Sequence, residues 1–194
     1  ALSLAAFSQQ ANAPAVAAAR AKSVRAPVRP KVKLVVGIVV DQFRFDYLYR
    51  FQHQFDGGLA RMLNQGAVFT NAHYEHFPTV TAIGHSTFFS GATPSISGIP
   101  GNTWYDRELG KSVTSVSDPE TDLIGIKGQA AGASPRKLLV STLPDELKMS
   151  GKGGKSFGIS LKDRSAILPA GHMADGAFWF DPDEGMFVTS TYYM

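Results

Sequence analysis

The stretch Lys33-Leu34-Val35-Val36-Gly37-Ile38-Val39-Val40-Asp41 decides the fold. Between Leu34 and Val40 every position except Gly37 is aliphatic. A strand with one wet face alternates, whereas an unbroken apolar run is what a parallel strand buried on both faces requires. The run ends on Asp41. An acid at the carboxyl end of a central strand stands where open α/β sheets place ligands, and its charge there needs a cation or hydrogen bonds. Capping the following turn is the plainer role for the same residue.

Outward from that strand, residues 42–54 are aromatic and amphipathic, and 56–66 read as a helix capped by Asp56 and stopped by Gly66. Residues 67–76 are rich in β-branched and aromatic types, which predicts a second strand. The alternation implies an α/β fold, a mostly parallel central sheet with helices on both faces.

Next comes Pro78-Thr79-Val80-Thr81-Ala82-Ile83-Gly84-His85-Ser86-Thr87. Pro78 lacks the N–H a ladder needs, and the pattern from Thr81 to Ser90 suits a short helix with Gly91 as its stop. That puts Thr81 at a helix N-terminus, where free N–H groups favour an anion. Its hydroxyl is either an ordinary cap or a nucleophile.

The loop 93–102 is dense in turn residues and ends in Asn102, a turn residue or an amide donor to a phosphate oxygen. Residues 103–117 predict a hairpin around 108–110, 118–133 a surface excursion, and 134–149 one helix with a Ser134 cap and Pro135 at its first position. Gly151-Lys152-Gly153-Gly154-Lys155-Ser156 fails the phosphate-loop pattern, because Met149 stands where the first Gly is needed; it reads as a turn. Strand 157–161 leads into Lys162-Asp163-Arg164, two cations placed either for an anion or as a solvated charged turn. Segments 176–180 and 186–193 predict a hairpin, the chain stopping inside its second strand.

The 194 residues carry a formal charge of +3. Six Lys or Arg and no acid lie within 1–40, so residues 41–194 hold thirteen basic and sixteen acidic side chains. The basic character belongs to the tail, and nucleic-acid binding by the folded part is not expected. Without cysteine there is no disulfide or thiolate chemistry. No apolar run reaches the roughly 20 residues of a membrane span. Residues 1–30 read as a signal-peptide remnant, with Ala11-Asn12-Ala13 as a small-x-small cleavage pattern, followed by a disordered linker. A periplasmic or secreted location is the expectation.

Asp41, Thr81, Asn102 and the Lys162/Arg164 pair all fall at expected strand ends or adjoining loops, on one edge of a parallel sheet. From 33 to 194 the sequence resembles the alkaline phosphatase superfamily, in its Thr-nucleophile branch with the nucleotide pyrophosphatase/phosphodiesterases. The resemblance rests on Val39-Val40-Asp41-Gln42, Pro78-Thr79-Val80-Thr81 with Gly84-His85-Ser86, Asn102-Thr103-Trp104-Tyr105-Asp106 after Gly98-Ile99, and Ser160-Leu161-Lys162-Asp163-Arg164.

It implies that 31–194 are the N-terminal portion of an alkaline phosphatase-like catalytic domain. It also implies hydrolysis of phosphate monoesters through a phosphothreonine on Thr81, with Asn102, Lys162 and Arg164 on the phosphate. Two zinc ions are implied, held here by Asp41 and Thr81, with the remaining ligands expected downstream of residue 194. The Lys-x-Arg element marks monoesterases in this branch; a phosphodiesterase and a catalytically dead phosphate-binding module are the alternatives. His85 is expected to support the site from behind its ligands or to be structural, rather than to bind metal, and His172 is not a matched ligand. The expected partner is a small-molecule phosphate ester, the expected state a monomer, and the 194 residues alone are expected to bind zinc poorly and be inactive.

Overall fold

The computed structural model describes residues 32–128 and 131–194. The signal and linker expectation for 1–30 lies outside them. The chain divides into two units between Ile38 and Val39. In the first, residues 32–38 belong to no helix or strand, and Leu34, Val35, Val36 and Ile38 are 65–76% exposed. The buried parallel strand expected there is not formed. Its aliphatic side chains satisfy the periodicity, but a strand also needs a neighbour's N–H and C=O groups, and 32–40 have no ladder partner among the described residues.

The second unit, Val39–Met194, begins with short helices α1 (Tyr47–Arg50) and α2 (Gly58–Gln65). The expected Asp56 cap is not made, since Gly57 occupies the N-cap. Residues 67–76 are irregular rather than a strand, with Phe69 79% exposed. Helix α3 (Thr81–Ser90) starts after Val80, which is extended (φ −76°, ψ 164°), and stops at Gly91, whose left-handed φ of 70° favours a residue without a Cβ. Both ends are where the sequence predicts them. A single turn, α4 (Pro94–Ser97), then leads to the hairpin β1 (Thr103–Asp106) and β2 (Lys111–Thr114).

The supposed surface excursion is instead two antiparallel strands, β3 (Ser117–Ile124) and β4 (Ala131–Ala133). The single helix expected over 134–149 is also corrected. Residues 135–138 make one turn, the Leu139 N–H donates to the Ser97 carbonyl (2.9 Å), and α5 (Leu143–Met149) restarts under a Thr142–Asp145 capping box. The reason is Pro144, which a helix accepts in its first turn but not in its middle.

β5 (Phe157–Ser160), α6 (Asp163–Ala170) and β6 (Gly176–Asp181) form a β-α-β unit, and β7 (Met186–Ser190) returns antiparallel. The last strand is complete at Ser190, and a 3₁₀ turn at Thr191–Tyr193 follows. The sheet order is β4-β3-β7-β6-β5. The chain is therefore α/β with a mixed sheet, in which β5–β6 is parallel and the other pairs antiparallel. Beneath it Ile167, Leu168, Trp179, Val188, Leu138 and Ile99 are buried together, and α3 packs on α6. That contact brings the N-terminus of α3 beside the β5–α6 turn.

Candidate active site

Thr81 is the first residue of α3, and its hydroxyl does not cap the helix. The Thr81 Oγ1–H donates instead to Asp41 Oδ2 at 3.1 Å. Lys162, the N-cap of α6, reaches the same oxygen with Nζ at 3.0 Å. Three residues separated by 40 and 121 positions thus meet on one atom. Desolvation pushes the Asp41 carboxyl up, but hydrogen bonds from Lys162 and Thr81, with the Lys162 charge, outweigh it and hold the group below its ordinary range. Gln42 follows at φ 60°, a left-handed conformation uncommon for a side chain of that size.

Asn102 stands after the α4 loop. Its Oδ1 accepts the Ala82 N–H at 2.8 Å, satisfying one of the free donors at the start of α3. With the carbonyl so engaged, the amide NH₂ is the end left to donate. Arg164 sits two residues beyond Lys162 on the same turn but does not join the others: its guanidinium contacts Asp163 Oδ1 at 3.3 Å, and its buried Nε has no partner among the described residues. The rest of that planar fork is uncommitted, which suits it to a tetrahedral oxyanion.

Of the five residues singled out in the sequence, the structure therefore brings Asp41, Thr81 and Lys162 into contact and sets Asn102 one peptide away. Two features were not anticipated. One is the Asp41–Lys162 ion pair, whose only sequence signal is that both residues close extended segments. The other is the His85 ring, with Nδ1 2.8 Å from the Thr81 carbonyl, for which the four-residue spacing on a helix is the signal. His172 lies apart, its Nε2 at 2.9 Å from the Leu138 carbonyl and its Nδ1 at 3.5 Å from Asp145.

As a metal site the residues present are incomplete. Asp41 and Thr81 offer two oxygens where zinc takes four ligands, and Lys162 already supplies a cation to one of them. No cluster of three His, Cys, Asp or Glu side chains exists among the described residues. This chain alone does not fit a zinc centre.

Residues 35–192 match the family model of type I phosphodiesterase / nucleotide pyrophosphatase, and the chain belongs to that family. It is 53% identical over 167 residues to alkaline phosphatase PafA of Elizabethkingia meningoseptica, covering 84% of this chain and 31% of the relative. It is 44% identical over 186 residues to alkaline phosphatase PhoV of Synechococcus elongatus, covering 91% and 34%. The crystal structure of wild-type PafA superposes with a TM-score of 0.81 at 52% identity, over 85% of this chain and 32% of that one. A PafA variant substituted at a Thr, an Asn, a Lys and an Arg gives 0.77 at 49% identity, over 80% and 31%. The chain thus spans about a third of the length of the relatives it matches.

Proposed function

We propose that the protein containing this chain is an alkaline phosphatase that hydrolyses small phosphate monoesters through a phosphothreonine on Thr81. The observation that carries the reading is the convergence of Thr81 Oγ1 and Lys162 Nζ on Asp41 Oδ2, at 3.1 and 3.0 Å. Asp41 accepts the hydroxyl hydrogen, which turns the Oγ1 lone pairs toward a phosphorus docked at the start of α3. The new P–O bond to Thr81 forms as the ester P–O bond breaks, the departing alcohol taking up the proton that Thr81 gives up, and water then splits the phosphothreonine, one hydrogen returning to Oγ1 as inorganic phosphate is released. The Asn102 amide and the cations of Lys162 and Arg164 hold the non-bridging oxygens, on which the transition-state charge is spread.

The substituted Thr and Asn of the PafA variant are twenty-one positions apart and its Lys and Arg two apart, the spacings of Thr81/Asn102 and Lys162/Arg164 here. Zinc belongs to the same reading: a pair of ions, when bound, would lower the charge cost of phosphoryl transfer. Asp41 and Thr81 contribute only part of the ligand set, and the rest must come from outside these residues. Export to the periplasm or medium is also part of the proposal, on the strength of residues 1–13.

A second reading, phosphodiester hydrolysis, is favoured by the family description itself. Lys162 discriminates, because a monoester presents a terminal oxygen that a diester lacks. In the complete polypeptide, Thr81→Ala is expected to lower kcat by at least about 1000-fold on any phosphate ester. Lys162→Ala is expected to cut monoester kcat/KM by about 100-fold while leaving diester turnover within a few-fold. Unchanged monoester turnover in Lys162→Ala would overturn the monoesterase assignment.

A further inference from the structure

We infer that His85 is a positioning residue for Thr81, gripping the nucleophile's carbonyl while Asp41 grips its hydroxyl. The inference rests on the nucleophilic role proposed above. His85 lies one turn along α3 and is 6% exposed, and its Nδ1 stands 2.8 Å from the Thr81 carbonyl oxygen. A carbonyl only accepts, so Nδ1 carries the hydrogen and donates it, which fixes the tautomer of a buried ring.

Thr81 is a first-turn residue, and first turns are the part of a helix that opens most readily. Its own N–H has no intrahelical acceptor, so its carbonyl is the point by which the helix holds it. The imidazole adds a second grip at that point. The result is three bonds around one residue: Oγ1 to Asp41 at 3.1 Å, the carbonyl from His85 at 2.8 Å, and the next peptide N–H to Asn102 at 2.8 Å. They fix the hydroxyl, the carbonyl and the following peptide plane, so the direction in which Oγ1 meets phosphorus is set by His85 on the same helix and by Asp41 and Asn102 from two separate loops.

A ring that merely fills the interface between helices would be replaceable by any side chain of similar bulk without effect on rate once the protein folds. The test is therefore chemical rather than steric. His85→Leu, His85→Asn, His85→Gln and Thr81→Ala are made in the complete polypeptide, and kcat and KM on p-nitrophenyl phosphate are measured alongside the melting temperature. Misplacing a reacting group by ~1 Å costs about 100-fold, so His85→Leu is expected to lose ~10- to 100-fold in kcat with KM within ~3-fold. The His85→Asn amide N–H reaches the place of Nδ1–H and is expected to restore kcat to within ~5-fold of wild type; His85→Gln, whose donor lies one bond further out, is not.

A wild-type kcat in His85→Leu, or equal kcat in the Asn and Gln variants, would overturn the inference. If His85→Leu does not fold, the Asn–Gln comparison decides alone. An active Thr81→Ala would instead sink the nucleophile and His85 with it. An inactive Thr81→Ala beside indifferent His85 variants removes only the role of His85.

Discussion

Asp41 Oδ2 and the Asp145 carboxylate show two ways in which one fold keeps an acid ionised. At Asp41 a flexible ammonium and a hydroxyl meet a carboxylate that is about one-third exposed, so the arrangement orients groups more than it stabilises the chain. Asp145 is 1% exposed and takes the N–H groups of Met173 (2.7 Å) and Thr142 (2.9 Å) and the Thr142 hydroxyl (3.1 Å). Burial pushes its carboxyl up, but these bonds outweigh burial and leave it below the ordinary range. A carboxyl that is harder to protonate folded than unfolded contributes its stability in full above the unfolded value, and loses it as pH falls through the folded one. Asp145→Asn is thus expected to cost about 2 kcal/mol in urea unfolding near neutral pH. The difference from wild type should shrink as pH falls below the ordinary carboxylate range. A constant difference across that window would contradict this account.

The β5–α6 turn is the element on which the cationic side of the site depends. A Cβ on Gly158 would land on the Ala166 carbonyl, so β5 and α6 approach as closely as they do because that position has no side chain. Gly158→Ala is expected to lift α6 from the sheet, costing ~1–3 kcal/mol in stability. It should also weaken competitive inhibition by inorganic phosphate, since Lys162 and Arg164 ride on the start of that helix; wild-type inhibition by phosphate would show that the turn tolerates the displacement.

Elements of this kind were legible where local chemistry is decisive. Pro78 and Gly91 bracket α3, Gly151–Ser156 make the turn before β5, and the Lys162/Arg164 turn follows its strand as expected. Where partners lie far away in the chain the signal fails. β3 contains Ser117-Asp118-Pro119-Glu120, poor strand formers, and is held by β4 and by register with β7, Leu123 opposite Ser190. Residues 33–40 show the reverse, strong strand formers with no ladder. The residue types of the site were legible, but of the strands expected to end on them only the one before Lys162 is formed. The sharing of one Asp41 oxygen by Thr81 and Lys162 was not legible, because a distance across 121 positions is a property of packing.

For the whole molecule, belonging to the type I phosphodiesterase / nucleotide pyrophosphatase family while spanning about a third of its curated relatives sets what the 194 residues do alone. On the proposed reading, Asn102, Lys162 and Arg164 supply the phosphate side of the site, and Asp41 and Thr81 only part of the metal side. Calorimetric titration of this chain with zinc is expected to show no pair of tight sites, whereas the complete polypeptide should take up two ions; two tight sites in the short chain would refute the division.

The exposed run at 34–40 has a colloidal consequence. Seven consecutive positions without charge or proline, nearly all β-branched or aliphatic and joining no ladder among the described residues, form a template on which identical chains stack. Expressed alone, the chain is expected to enter thioflavin-positive assemblies at micromolar concentration. Val36→Lys, a charge set in the middle of that template, should keep it in solution without touching Asp41, Thr81 or Lys162.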